Sequence, residues 1–230
     1  MRVLFLLLLS NSLPLLADDN WQLFRSGEAF DLNDNAPLYI ENHFMRCDSP
    51  NRVQVTYSHQ GVVFAQKSLV FYADNFVPDI LYEDLRLHTR ILVQQQAQTV
   101  SLKTNDESAR LPLKQNTVAD AGFDRFIAAR LTQLELGETQ QLDFVSPTRL
   151  DTYRFEAQLR SSTPDQLDIL LQPEAKWLQW LLDPVYVTYQ RVPFRIRNYA
   201  GISNVEDVNG HYQHVRIHYH YYAVCGLSGS

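Results

Sequence analysis

Asn209-Gly210-His211-Tyr212-Gln213-His214-Val215-Arg216-Ile217-His218-Tyr219-His220-Tyr221-Tyr222 decides how this chain is read. Over the strand 211–222 apolar and polar residues alternate, strictly so from His214 to Tyr221. Val215, Ile217, Tyr219 and Tyr221 fall on one side, and His214, Arg216, His218 and His220 on the other. A period of two is that of a strand with one face buried. Asn209-Gly210 just before it is the pair that a two-residue type I′ hairpin favours, since both central residues need positive φ. The reading is therefore an antiparallel hairpin with one aromatic face turned to a core.

The same period extends back through most of the chain. Leu38, Ile40 and Phe44 alternate with Tyr39, Glu41 and His43; Val53, Val55 and Tyr57 alternate with Gln54 and Thr56. His59-Gln60-Gly61 turns the chain into Val62–Tyr72. Further strands are expected over 79–104, 108–114, 142–144, 153–159, 167–171, 185–189 and 194–198. One stretch breaks the pattern. Phe123, Phe126, Ile127, Leu131 and Leu134 recur at helical spacing, with Asp120 and Asp124 at the start and Gly137 past the end, the usual dipole and left-handed cap signals. A single apolar stripe amid strands has only sheet to pack on. The expected fold is mainly β: a highly curved antiparallel sheet, or partly closed barrel, of about 10–11 strands with one amphipathic helix on its concave face. A β-sandwich is the alternative.

The N-terminus has a different character. Arg2, the apolar run Val3–Leu9 and Leu15-Leu16-Ala17 before Asp18-Asp19 make residues 1–17 a secretory signal peptide with cleavage after Ala17. No Cys follows the run, so a lipid anchor is not expected. Residues 18–36 look like a mobile lead-in, and 37–230 a single β-rich domain. With 20 Lys+Arg against 26 Asp+Glu, the chain carries a formal charge of −6. That argues against nucleic acid and against docking on anionic lipid. No later apolar run is long enough to span a bilayer. An exported, periplasmic protein is expected, in an oxidising compartment where Cys47 and Cys225 can pair. Both cysteines follow strand ends that antiparallel neighbours would place on opposite edges, so a bridge and two separate half-buried thiols both stay open.

Catalytic signatures are missing: the chain has no Gly-x-Ser-x-Gly, no His-Glu-x-x-His, no phosphate-binding Gly loop and no Cys-x-x-Cys. His218 and His220 share a face at a spacing that some metal sites use, but the alternation already accounts for them as a solvated face, and no metal or other cofactor is expected. Asp31-Leu32-Asn33-Asp34-Asn35 resembles the start of a calcium loop. Ala36 and Asn42 then stand where Gly and Glu are required, which favours an Asx-rich turn. Lys176–Leu182, with Trp177 and Trp180, reads as a plug at one end of the barrel, with a lid over a ligand cavity or a membrane-touching element as the alternatives. Arg149 and Asp151 flank Leu150 at a sheet rim. Phe123, Phe126, Trp177, Trp180 and Arg149 are the candidate ligand-binding residues.

The phrases Asp120-Ala-Gly-Phe-Asp-Arg-Phe126, Pro147-Thr-Arg-Leu150, Trp180-Leu-Leu-Asp-Pro184 and Tyr199-Ala-Gly-Ile-Ser-Asn204 resemble a family of uncharacterised exported proteins of Gram-negative bacteria. The resemblance covers roughly residues 38–221 and implies no particular activity. The expected architecture is similar to the curved sheets of periplasmic lipoprotein carriers, a likeness of shape alone. The leading expectation is a non-catalytic protein binding an apolar small molecule, a lipid or an envelope partner in the cleft of the sheet. The alternatives are a periplasmic hydrolase or His-dependent metal enzyme, and a structural partner acting through sheet-edge pairing.

Overall fold

The computed structural model describes residues 20–73, 75–176 and 183–225. The signal-like residues 1–17 and the segment 177–182, with Trp177 and Trp180, lie outside them. Of the described residues 62% are in strands and 7% in helices. Its elements are β1 Trp21–Asp31, β2 Pro37–Arg46, β3 Ser49–His59, β4 Val62–Val70, β5 Asp79–Asp84, β6 Thr89–Gln96, β7 Thr99–Lys103, β8 Ser108–Pro112 and β9 Thr117–Val118. The helices α1 Gly122–Ala129 and α2 Leu131–Glu135 follow, then β10 Gln140–Ser146, β11 Asp151–Ser162, β12 Gln166–Pro173, β13 Val185–Gln190, β14 Arg195–Glu206 and β15 Tyr212–Tyr221.

All fifteen strands form one open sheet in the order β8-β7-β6-β5-β4-β3-β2-β1-β15-β14-β13-β12-β11-β10-β9. It is antiparallel except where β9 joins β10. The curved sheet with helix on its buried face is thus present, with more strands than the 10–11 expected. Two of the extra strands carry no period-two signal. β9 has two residues. β1 occupies most of the expected mobile lead-in, and its inward residues are Arg25, Gly27 and Ala29, which give no apolar alternation to read. It pairs with β2 on one side and β15 on the other, at the centre of the sheet.

That placement resolves the cysteines. β2 and β15 both run antiparallel to β1, so their C-terminal ends lie together beside its start. Cys47 and Cys225 are joined in a disulfide with Cα atoms 5.3 Å apart. The cysteines are not on opposite edges, because β1 lies between β2 and β15 and aligns their ends.

The buried face holds two apolar cores. One gathers Val55, Tyr57, Ala65, Val93, Val100, Leu102 and Val215. The other packs α1 and α2 on β10–β13 through Phe126, Ile127 and Leu134 against Leu142, Ala157, Leu167, Ile169, Val187 and Tyr189. The expected single helix is two short ones, broken at Arg130. Phe126 is fully buried, as the stripe predicted, while Phe123 and Leu131 are half-buried. Gly137 takes the left-handed cap at φ +84°. Gly122 lets the start of α1 press against the Phe76 carbonyl, where a Cβ would come within 1.8 Å.

The last hairpin is not type I′. Of its two central residues only Gly210 has positive φ. The Asp207 carboxylate accepts hydrogen bonds from the Asn209 and His211 N–H groups at 2.8 and 2.9 Å and sets a different turn. No helix among the described residues is long and apolar enough to cross a membrane.

Candidate functional site

Between the two cores the buried face turns polar. β2 presents Tyr39, Glu41 and His43 inward and leaves Ile40 exposed, the reverse of what hydropathy alone would choose. The reason is the partners waiting across the sheet. Gly27 on β1 faces Glu41 on one side and Tyr219 on the other. A Cβ there would meet Glu41 Cγ and Tyr219 Cε1 at 2.8 Å, so the missing side chain lets these two close over the strand.

Arg25 Nη2 lies 3.0 Å from His43 Nδ1, and His43 Nε2 lies 2.9 Å from Glu41 Oε1. Arginine can only donate, so Nδ1 accepts and the His43 proton sits on Nε2, donated to Glu41. Burial and the Arg25 charge push His43 down to about 4, against the pull of Glu41. Burial works to raise Glu41, but His43 and Arg25 outweigh it and hold the carboxyl at about 2. Arg25 also stacks its guanidinium 4.8 Å from the Tyr219 ring centroid. Burial raises Tyr39, Tyr57, Tyr189 and Tyr219 well above the ordinary phenol range.

The connector into α1 supplies the counter-charges. Asp120, held at φ +47°, places Oδ2 2.6 Å from Lys67 Nζ, and that ammonium lies 5.6 Å from the centre of the Tyr57 ring. Asn204 donates to the same oxygen at 2.8 Å. Asp124, four residues on, accepts from the Tyr189 hydroxyl at 2.8 Å and lies 3.7 Å from Arg25 Nη1. Burial raises its carboxyl, partly offset by Arg25. Two sheet cations thus meet two acids spaced one helical turn apart. Asp124 stands in the first turn of α1, as the dipole favours, and together with Asp120 also ties α1 to the sheet.

Two of the sequence phrases meet here. Asp120–Phe126 and Tyr199–Asn204 join at the Asp120–Asn204 bond, and Ser203 Oγ lies 2.8 Å from the Tyr39 hydroxyl. Pro147–Leu150 forms the β10–β11 turn, where the Thr148 hydroxyl lies 2.9 Å from that of Tyr212. Most of the Trp180–Pro184 phrase falls outside the described residues.

Of the residues singled out from sequence, Trp177 and Trp180 lie outside the described residues, and the described ones do not form one site. Phe126 lies in the second core with its ring edge-on to Phe76 at 5.4 Å, and Phe123 is at the margin of that core. Arg149 is exposed on the β10–β11 turn. His218 faces outward and shares a 2.7 Å hydrogen bond between its Nδ1 and Asn198 Oδ1, while His220 is exposed. Among the described residues no three His, Cys, Asp or Glu are grouped to hold a metal ion. The Asp31–Asn35 stretch is an Asx turn, its Asp31 carboxylate accepting from the Asn33 N–H at 2.8 Å.

Arg25, Glu41, His43, Lys67 and Asp120 were not singled out as a site. The signal available was a Glu-x-His pair on a strand with a Gly strand beside it. Comparison with protein-family models, with curated proteins and with solved structures found no match.

Proposed function

We propose that the protein is an exported, non-catalytic binding protein of an oxidising compartment, of which the periplasm is the example, holding an apolar molecule on the concave side of its sheet. The observation that carries the non-catalytic part is how the buried polar groups are used. Glu41 is bonded to His43, His43 to Arg25, Lys67 to Asp120 and Asp124 to Tyr189. His43 at about 4, Glu41 at about 2 and the raised tyrosines all lie far from neutrality, where a general acid or base works best. The network therefore reads as a brace that holds α1 and the sheet in register.

The apolar fringe around α1 and α2 is the place for the ligand. Phe123, Leu131, Phe144, Phe155 and Leu159 are only partly buried where they border the second core, and Phe144 and Phe155 stand edge-on with centroids 6.0 Å apart. A partly exposed apolar margin with three aromatic rings among these five residues suits an acyl chain or similar apolar molecule. The disulfide supports the compartment, since such bonds persist outside the reducing cytosol.

Native mass spectrometry of protein released gently from the periplasm is the test. A retained adduct that organic extraction removes, and that palmitate restores, is expected. A bare mass in both cases, or hydrolysis of a test ester that His43→Gln abolishes, overturns the proposal.

A further inference from the structure

The exposed apolar side chains are not evenly spread. Among the described residues, twelve large hydrophobics are exposed, and eight of them sit at one end of the sheet: Leu32, Ile40, Val62, Val63, Leu85, Tyr186, Val208 and Tyr212. The strand order makes this a pattern. The β5–β6, β3–β4, β1–β2 and β14–β15 connections are consecutive hairpins along the sheet and all turn at that end. Each carries one or two such residues at or beside its tip: Leu85, then Val62 and Val63, then Leu32, then Val208. At Val62 and Val208 exposure reaches 68% and 71%.

We infer that this row of hairpin tips rests on a zwitterionic lipid surface. Successive hairpins are two strands apart, so the tips stand roughly 10 Å from one another and the row runs on the order of 30 Å. Between the aliphatics lie polar residues such as Gln60, Asn33 and Asn209. A protein partner is recognised by a contiguous buried centre, which separated islands do not offer. The boundary between lipid headgroups and chains needs no matching shape and admits each tip on its own. The exposed acids at this end, Asp34, Asp106, Glu107, Asp151 and Asp183, are nearly balanced by the exposed bases Arg90, Lys103, Arg149 and Lys176, so the surface carries no excess of positive charge to favour anionic lipid. The observation is one of topology and exposure and does not depend on the ligand proposed above.

Co-flotation of the whole protein with phosphatidylcholine vesicles tests it. Wild type is expected to float with the vesicles, and to float no better when a third of the lipid is phosphatidylglycerol. Val62→Asp/Val208→Asp should abolish flotation. Val192→Asp, at an 83% exposed site at the opposite end, should leave it unchanged. These positions are exposed, so circular dichroism should match wild type in every variant. Wild type remaining with the soluble fraction, or Val62→Asp/Val208→Asp floating like wild type, overturns the inference. Loss of flotation in Val192→Asp would overturn it as well.

Discussion

Asp120→Asn tests whether the polar seam holds α1 to the sheet. Asparagine tolerates the left-handed backbone at φ +47° and nearly matches aspartate in size, so the change removes charge and little else. It leaves the Lys67 ammonium, with its side chain 6% exposed, without a counter-ion. Removing one partner of a buried pair costs about 3 kcal/mol or more. Lys67→Met leaves the Asp120 carboxylate with the Asn204 and Ala121 N–H groups, so about 2 kcal/mol is expected. The double variant has no buried charge at this point and should also cost about 2 kcal/mol, rather than the roughly 5 kcal/mol that independent sites would give. Urea unfolding with the disulfide intact reads this directly. With a slope of about 2–3 kcal/mol/M, Asp120→Asn should lower the midpoint by about 1 M or more, and Lys67→Met should then recover part of it. Additive single effects, or an Asp120→Asn midpoint within about 0.2 M of wild type by the same slope, would refute the assignment.

Phe126→Ala, at a fully buried ring, should cost about 3–5 kcal/mol in the same assay, and a midpoint close to wild type would mean that α1 moves freely. Cys47→Ser/Cys225→Ser opens a loop 178 residues long and should lower stability by up to about 5 kcal/mol, read from thermal and urea unfolding. Native His43 at about 4 lies below its ordinary 6.5, so the unfolded chain binds the extra proton between these values. The stability it contributes is complete above pH 6.5 and falls as pH drops towards 4. Urea midpoints against pH should accordingly slope less in His43→Gln across that window. Gly27→Ala puts a Cβ into the gap closed by Glu41, Tyr219 and Ile217 and should cost about 1–3 kcal/mol; a neutral result would show that the gap is slack.

How far the sequence could be read depended on what each strand turns inward. β15 was legible because Val215, Ile217, Tyr219 and Tyr221 alternate with polar residues, and α1 because Phe126, Ile127 and Leu134 recur at helical spacing. β1 was not, since Arg25, Gly27 and Ala29 look like loop until Glu41 and Tyr219 are known to lie beside them. β2 was found, but hydropathy favours Ile40 for the core, and only the Arg25 and Ser203 partners explain why Tyr39, Glu41 and His43 are inside. The candidate site shared this difficulty. Lys67, Asp120 and Asn204 are distant in sequence, and a lone buried lysine shows no periodic signal. The Asn209-Gly210 turn misled for a local reason: the Asp207 side chain competes for the same N–H groups.

The central position of β1 has a kinetic consequence. From β2 to β8, and again from β10 to β15, each strand pairs with its neighbour in sequence, so either half can zip from one hairpin to the next with short loop closures. The β1–β15 contact is different, joining residues almost a whole chain length apart, as in Arg25 opposite Tyr221. A contact of that span carries the largest closure entropy and is expected to form late. The first strand, paired with β2 on one side, must then wait with its other edge open and Arg25 without Tyr219 until the last one arrives. Cys47 and Cys225 stand at this join, so oxidation records its completion, and the rate at which the thiols disappear during refolding would time the union of the two halves.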